Sequence, residues 1–214
     1  MRSPKLWFEV RGGLLSAGLA LLLFAWLCSL ALHQKTTPFD LYIRDWLHAF
    51  SSPRLTALFV LLSWLGSWFV LLSMGILLAV LFVNRFSEVR VVTITLYGAI
   101  ILSAALKLLF HVSRPEPFFG LSVPDTHSFP SAHAFISFCF FSLIAQFINQ
   151  RVNQRLARVC LWAIACLIIA AIGVSRVYLG MQYPTSVLAG YAAAHVWMEL
   201  VKIIVRKLSK SLDN

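Results

Sequence analysis

Three cations and one short helix-start motif carry the chemistry this sequence offers. Lys107, Arg114 and Arg176 lie at or beside the ends of long apolar runs, and Arg114 follows Lys107 at seven residues, just before Pro115. A cation at membrane depth is expensive and usually functional. One snorkelling lysine is ordinary. Three cations on one side, facing a loop that holds histidine, ask for an anion. The motif is Pro130-Ser131-Ala132-His133. Pro and Ser start helices well, and a helix start with its N–H groups beside a serine hydroxyl is a ready phosphate site. Lys107, Arg114 and Arg176 would add charge-assisted bonds, the arginines as bidentate forks. His133, one turn into that helix, would stand at the edge of the anion and donate a proton to a leaving oxygen. Taken singly each piece is bland: a His at a helix start is usually structural, and Pro-Ser is usually a cap. The pattern is specific because every piece falls on the same side of the membrane.

The elements that must position these residues follow from composition. The chain has 214 residues, 60% of them hydrophobic and 12% charged, with a mean hydropathy of +0.83. A soluble domain carries about 25% charged residues, so a soluble enzyme, a disordered tail and a disulfide scaffold are all excluded. The expected class is an all-α integral membrane protein, one membrane domain over 1–214. A span needs about 20 apolar residues, and six runs qualify: Leu14–Leu32, Leu55–Val83, Val91–Phe110, Ala132–Ile148, Val159–Val174 and Pro184–Val205. The first is longer than the apolar stretch of a secretory signal, about 7–15 residues, and reads as an uncleaved anchor. The loop Val112–Pro130, with Pro115, Pro117, Pro124 and Pro130, is not helical.

Charge placement sets the orientation. Arg2, Lys5, Arg11, Arg85, Arg90, Arg151, Arg155, Arg158, Lys202, Arg206, Lys207 and Lys210 fall on one side; Lys35, Arg44, Arg54, Lys107, Arg114 and Arg176 fall on the other. Twelve against six puts both termini in the cytoplasm. The net charge of +10 is then a topology signal, and nucleic acid is excluded as a partner. Between the first two runs, Phe39, Tyr42, Ile43, Trp46, Leu47 and Phe50 share one helical face, with Asp40, Arg44, Asp45 and His48 on the other. The pattern predicts an interfacial helix on the outer leaflet. Ala189, Gly190, Ala193 and Ala194 in the last run permit close packing, within the bundle or across a homo-oligomer. Cys28, Cys139, Cys160 and Cys166 sit in or beside apolar runs, with neither metal-ligand nor disulfide spacing.

At these residues the chain resembles the type 2 phosphatidic acid phosphatase family, related in fold to the vanadium haloperoxidases. That family carries Lys-x6-Arg-Pro, Pro-Ser-Gly-His and Ser-Arg-x5-His-x3-Asp. Here they stand as Lys107-LLFHVS-Arg114-Pro115, Pro130-Ser131-Ala132-His133, and Ser175-Arg176-VYLGM-Gln182-YPT-Ser186. The resemblance covers roughly residues 55–200. It implies a six-span bundle with an outward site, no metal and no cofactor, and a phospholipid or polyprenyl phosphate head group as partner. It also implies that Lys107, Arg114, Ser131, Ala132 and Arg176 bind phosphate and that His133 is the general acid. In the family, the His at the place of Gln182 attacks phosphorus, and the Asp at the place of Ser186 orients it. Both are replaced here. An amide nitrogen has a delocalised lone pair and cannot stand in for imidazole, and nucleophilic catalysis needs a nucleophile with an activating partner. Ala132 adds a methyl where the family has glycine.

Three readings follow. The first is a non-catalytic binder of lipid phosphate. The second is an active lipid phosphatase with a substitute nucleophile, His127 first, with Asp125 as its orienter, and His111 next. The third is a membrane scaffold in which the motifs serve only packing, Arg176 bonding loop carbonyls. A bacterial inner-membrane protein with its site facing the periplasm is the expected setting.

Overall fold

In a computed structural model, residues 10–33, 37–121 and 127–212 are described. Arg2, Lys5, Lys35, Pro124 and Asp125, named above, lie outside them. The elements are helices in the order α1 (Val10–Leu32), α2 (Thr37–Ala49), α3 (Pro53–Leu65), α4 (Trp68–Leu81), α5 (Phe86–Phe110), α6 (Ala132–Asn149), α7 (Arg155–Tyr178) and α8 (Pro184–Leu212).

Among the described residues, helices α1, α5, α6, α7 and α8 are each long and apolar enough to cross a membrane, and α3 and α4 together pass the same test as a broken span or a re-entrant loop. The expected single run Leu55–Val83 is therefore broken. Its halves meet at an angle of 51°. The cause is local: at Gly66-Ser67 the Ser67 hydroxyl donates to the Trp64 carbonyl at 2.6 Å, and its N–H donates to the same oxygen at 3.0 Å. A Gly/Ser pair whose side chain takes a ladder acceptor kinks a helix.

Helix α6 is the hub. Phe135, Ile136, Cys139, Phe140 and Leu143 are buried against Leu71 of α4, Leu96 and Ala99 of α5, and Ala194 and Met198 of α8. The small residues of α8 pack inside this bundle. A Cβ on Gly190 would lie 2.6 Å from the Ser131 carbonyl and 3.0 Å from the Ala134 methyl. Glycine there lets α8 cross the start of α6 at backbone distance. Helix α1 lies along α8, joined by His195 Nε2 and Ser16 Oγ at 3.0 Å.

Helix α2 forms as the pattern predicts, but its polar face is divided. Asp40 and Arg44 are buried against the bundle, while Asp45 is exposed along with Phe39, Tyr42, Trp46 and Phe50. The helix lies with Asp40 and Arg44 inward on the bundle end that holds the chemistry-bearing residues.

Candidate phosphate site

The last turn of α5 carries Lys107. The helix ends at His111, whose φ of 47° turns the chain out of the helix. The two ends of the following loop are tied together. Ser128 donates its N–H to the Val112 carbonyl and its hydroxyl to the Ser113 carbonyl, both at 2.8 Å. That brings Arg114 toward the start of α6.

Ser131 is the N-cap of α6, its hydroxyl accepting from the Ala134 N–H at 3.4 Å. Its own N–H donates to the Ser186 carbonyl at 2.9 Å. The sequence suggested a hydroxyl and N–H groups facing an anion; here the Ser131 hydroxyl caps its own helix and its N–H joins α6 to α8. The donors next in line are the first-turn N–H groups of Ala132 and His133, which have no intrahelical partner. Ala132 packs against the main hydrophobic cluster.

Arg176 sits in the last turn of α7. The chain then reverses through Gly180 at φ +72°, a left-handed conformation that suits glycine. A side chain there would also meet the Phe118 N at 2.7 Å. The N–H groups of Met181 and Gln182 both return to the Arg176 carbonyl, at 2.9 and 3.2 Å. The Arg176 side chain is 6% exposed. Its Nη1 donates to Ser63 Oγ of α3 at 2.5 Å, and its Nε is buried without a partner. Gln182 is 2% exposed, and its Oε1 is likewise buried without a partner. Ser186 is buried in the first turn of α8.

These groups form one electrostatic unit. The charges of Arg176, Lys107 and Arg114 all act on His133, and those of Arg114 and Arg176 act on Lys107. Arg114 donates Nη1 to the Met181 carbonyl at 3.3 Å. Burial holds its pKa below the ordinary arginine value, yet a guanidinium stays charged at neutral pH. Among the described residues, neither Lys107 nor Arg176 forms an ion pair.

His133 and Arg176 open onto a cavity of about 270 Å³. Leu179 and Met181 line it, together with Ser63, Trp64, Ser67, Trp68 and Phe69 from the α3–α4 break. Trp64, Trp68 and Phe69 are also exposed on the surface of the bundle.

The other histidines are elsewhere. His127 and His111 pack on each other with ring centroids 4.6 Å apart, and neither lines this cavity. His195 bonds to Ser16 on the α1 side of α8. His48 stacks on Phe118 at 3.8 Å.

Comparison with known proteins now adds to this geometry. Residues 88–210 match the sequence profile of the PAP2 superfamily. The chain belongs to the PAP2 superfamily. Phosphatidylglycerophosphatase B of Bacillus subtilis (strain 168) is 31% identical over 111 residues, 51% of this chain and 54% of its own. This PAP2 chain thus spans about half the length of the curated relative it matches. The crystal structure of a transmembrane PAP2 type phosphatidylglycerolphosphate phosphatase from Bacillus subtilis matches with a TM-score of 0.80, over 90% of this chain and 96% of that one, at 24% identity. That of Aquifex aeolicus LpxE matches at 0.55, over 79% and 95%, also at 24% identity. At those identities the likeness establishes the PAP2 fold. With its apolar helices, it makes this an integral membrane protein.

Sequence reasoning missed Ser63, Asp40 and Thr185. Asp40 accepts from the Thr185 N–H at 2.9 Å and the Thr185 hydroxyl at 2.7 Å. The available signal was a polar stripe on a short helix rich in aromatics. That stripe tells of a buried or wetted face without saying which.

Proposed function

We propose that this PAP2 protein binds a lipid phosphate head group and does not turn it over efficiently by a phosphohistidine route. The observation that carries this reading is two orphaned buried groups, Gln182 Oε1 and Arg176 Nε, beside Lys107 and Arg176, which form no ion pair among the described residues. Buried polar groups are nearly always paired, and the exceptions ask for an unseen partner. A phosphate supplies acceptors for Arg176, Arg114 and Lys107 and for the Ala132 and His133 N–H groups. The terminal amide of Gln182, turned about its last torsion, offers N–H to a phosphate oxygen. His133, which lines the cavity, would give a leaving oxygen its proton.

The step that is missing is attack. In-line displacement needs a nucleophile about 3–3.5 Å from phosphorus. Among the described residues His133 is the sole imidazole lining the cavity, and position 182 holds an amide. Removing a nucleophile leaves at most the acceleration that binding and electrostatics supply, about 10³–10⁴ over water.

The exposed aromatic residues Trp64, Trp68 and Phe69 that line the cavity favour a ligand with an acyl or prenyl tail over a free phosphate. Counting Lys and Arg by side supports termini in the cytoplasm and a site on the outer face of a bacterial inner membrane. The relatives' names make phosphatidylglycerol phosphate the first lipid to try, ahead of phosphatidic acid and polyprenyl pyrophosphate.

The test is phosphate release from a panel of lipid phosphates by the purified protein, by Gln182→His with Ser186→Asp, and by His133→Ala. Wild type should be near background, and the double reversion should exceed it by about 10³-fold. Fast wild-type turnover abolished in His133→Ala would overturn the reading.

A further inference from the structure

We propose that Asp40 is a positioning residue for the phosphate site, acting from α2 on the start of α8 and through it on the N-cap of α6. The proposal rests on the phosphate-binding reading above.

Asp40 is a carboxylate 2% exposed, and burying such a charge is costly unless it is closely bonded. Its two oxygens are placed on one residue: Oδ1 accepts from the Thr185 N–H and Oδ2 from the Thr185 hydroxyl. Thr185 is the second residue of α8, so this N–H is one of the first-turn donors that the helix cannot satisfy itself. A carboxylate at a helix N-terminus also complements its dipole.

The hold continues past Thr185. The next residue, Ser186, gives its carbonyl to the Ser131 N–H at 2.9 Å. Ser131 in turn caps α6, one residue before Ala132 and two before His133. Upstream, Gln182 is three residues before Thr185, in the turn fixed at its other end by the Arg176 carbonyl. A shift of Thr185 therefore moves both Gln182 and the α6 donors.

Helix α2 is itself tied to the first-motif loop. Arg44 donates to the Glu116 carbonyl at 2.6 Å and lies 4.1 Å over the Phe118 ring. Phe118 donates its N–H to the Leu179 carbonyl at 3.0 Å. One helix face thus grips the loops that follow Arg114 and Arg176. Residue 40 also lies outside the 88–210 stretch that the family profile matches, so the family motifs do not contain it.

The experiment uses the full chain in phosphatidylcholine nanodiscs and two readouts. The first is equilibrium binding of dioctanoyl phosphatidic acid. The second is amide hydrogen exchange across residues 182–190, which needs no ligand. Asp40→Asn should weaken binding by about 10-fold or more and speed exchange in that segment, with the melting midpoint held near wild type. Asp45→Asn, exposed on α2, should stay within about twofold of wild type in both. Unchanged exchange in Asp40→Asn overturns the proposal, whatever binding does. So does faster exchange spread over every helix with a lowered midpoint, which marks Asp40 as structural only. If wild type binds no lipid phosphate, the phosphate reading fails by itself, and exchange still decides whether Asp40 positions this turn.

Discussion

The two ends of the helix bundle handle positive charge in opposite ways. At the end away from the cavity, two cations meet carboxylates three residues away: Arg85 with Glu88 at 3.8 Å and Lys202 with Glu199 at 2.5 Å. These pairs are partly exposed, and such pairs contribute little to stability. At the cavity end, Arg176 is buried on a neutral hydroxyl, and Arg114 donates to a backbone carbonyl. Arg176, buried and without an ion pair among the described residues, has a desolvation cost that its bond to Ser63 does not fully offset. On the proposed function, charge at the far end fits topology and charge at the cavity end serves an anion.

The largest expected break of this contrast is Arg176→Gln. It should weaken binding of a short-chain lipid phosphate by about 100-fold, the scale for truncating one partner of a buried charged contact. Calorimetric titration in nanodiscs reads it, and a loss under threefold would place Arg176 with the topological cations. A smaller effect is expected from Gly190→Ala. The added methyl meets the Ser131 carbonyl, and overpacking of this kind costs about 1–3 kcal/mol, seen as a lower melting midpoint. Ser63→Ala keeps the charge and removes its anchor, so affinity should fall by about fivefold, with the same titration as the check. At the far end, Arg85→Gln should leave affinity within about twofold of wild type. An effect there as large as at Arg176 would erase the distinction between the ends.

Much of the site was legible because membrane parity does the geometry. Lys107, Ser131, His133 and Arg176 are dispersed over some seventy positions. Alternating spans bring them to one end with no contact having to be guessed. The kink was not legible, because hydropathy sums over a window and is blind to direction. Gly66-Ser67 was visible as a pair, but its effect depends on the Ser67 hydroxyl choosing the Trp64 carbonyl. The inward face of α2 was misjudged for a related reason. Periodicity separates Asp40 and Arg44 from Phe39, Tyr42, Trp46 and Phe50. Only the bond from Thr185, 145 positions away, says that Asp40 is turned inward. The Ser131 N–H faces the Ser186 carbonyl, a partner that sequence spacing does not reveal.

The kink between α3 and α4 has a consequence for the proposed lipid ligand. For a membrane lipid, a recess framed by the exposed Trp64, Trp68 and Phe69 would be searched in two dimensions. Its occupancy follows the mole fraction of the ligand among neighbouring lipids, and molarity in the surrounding water has little hold on it. Diluting a detergent extract would leave such a recess as full as before. Swelling the micelle with inert lipid would empty it.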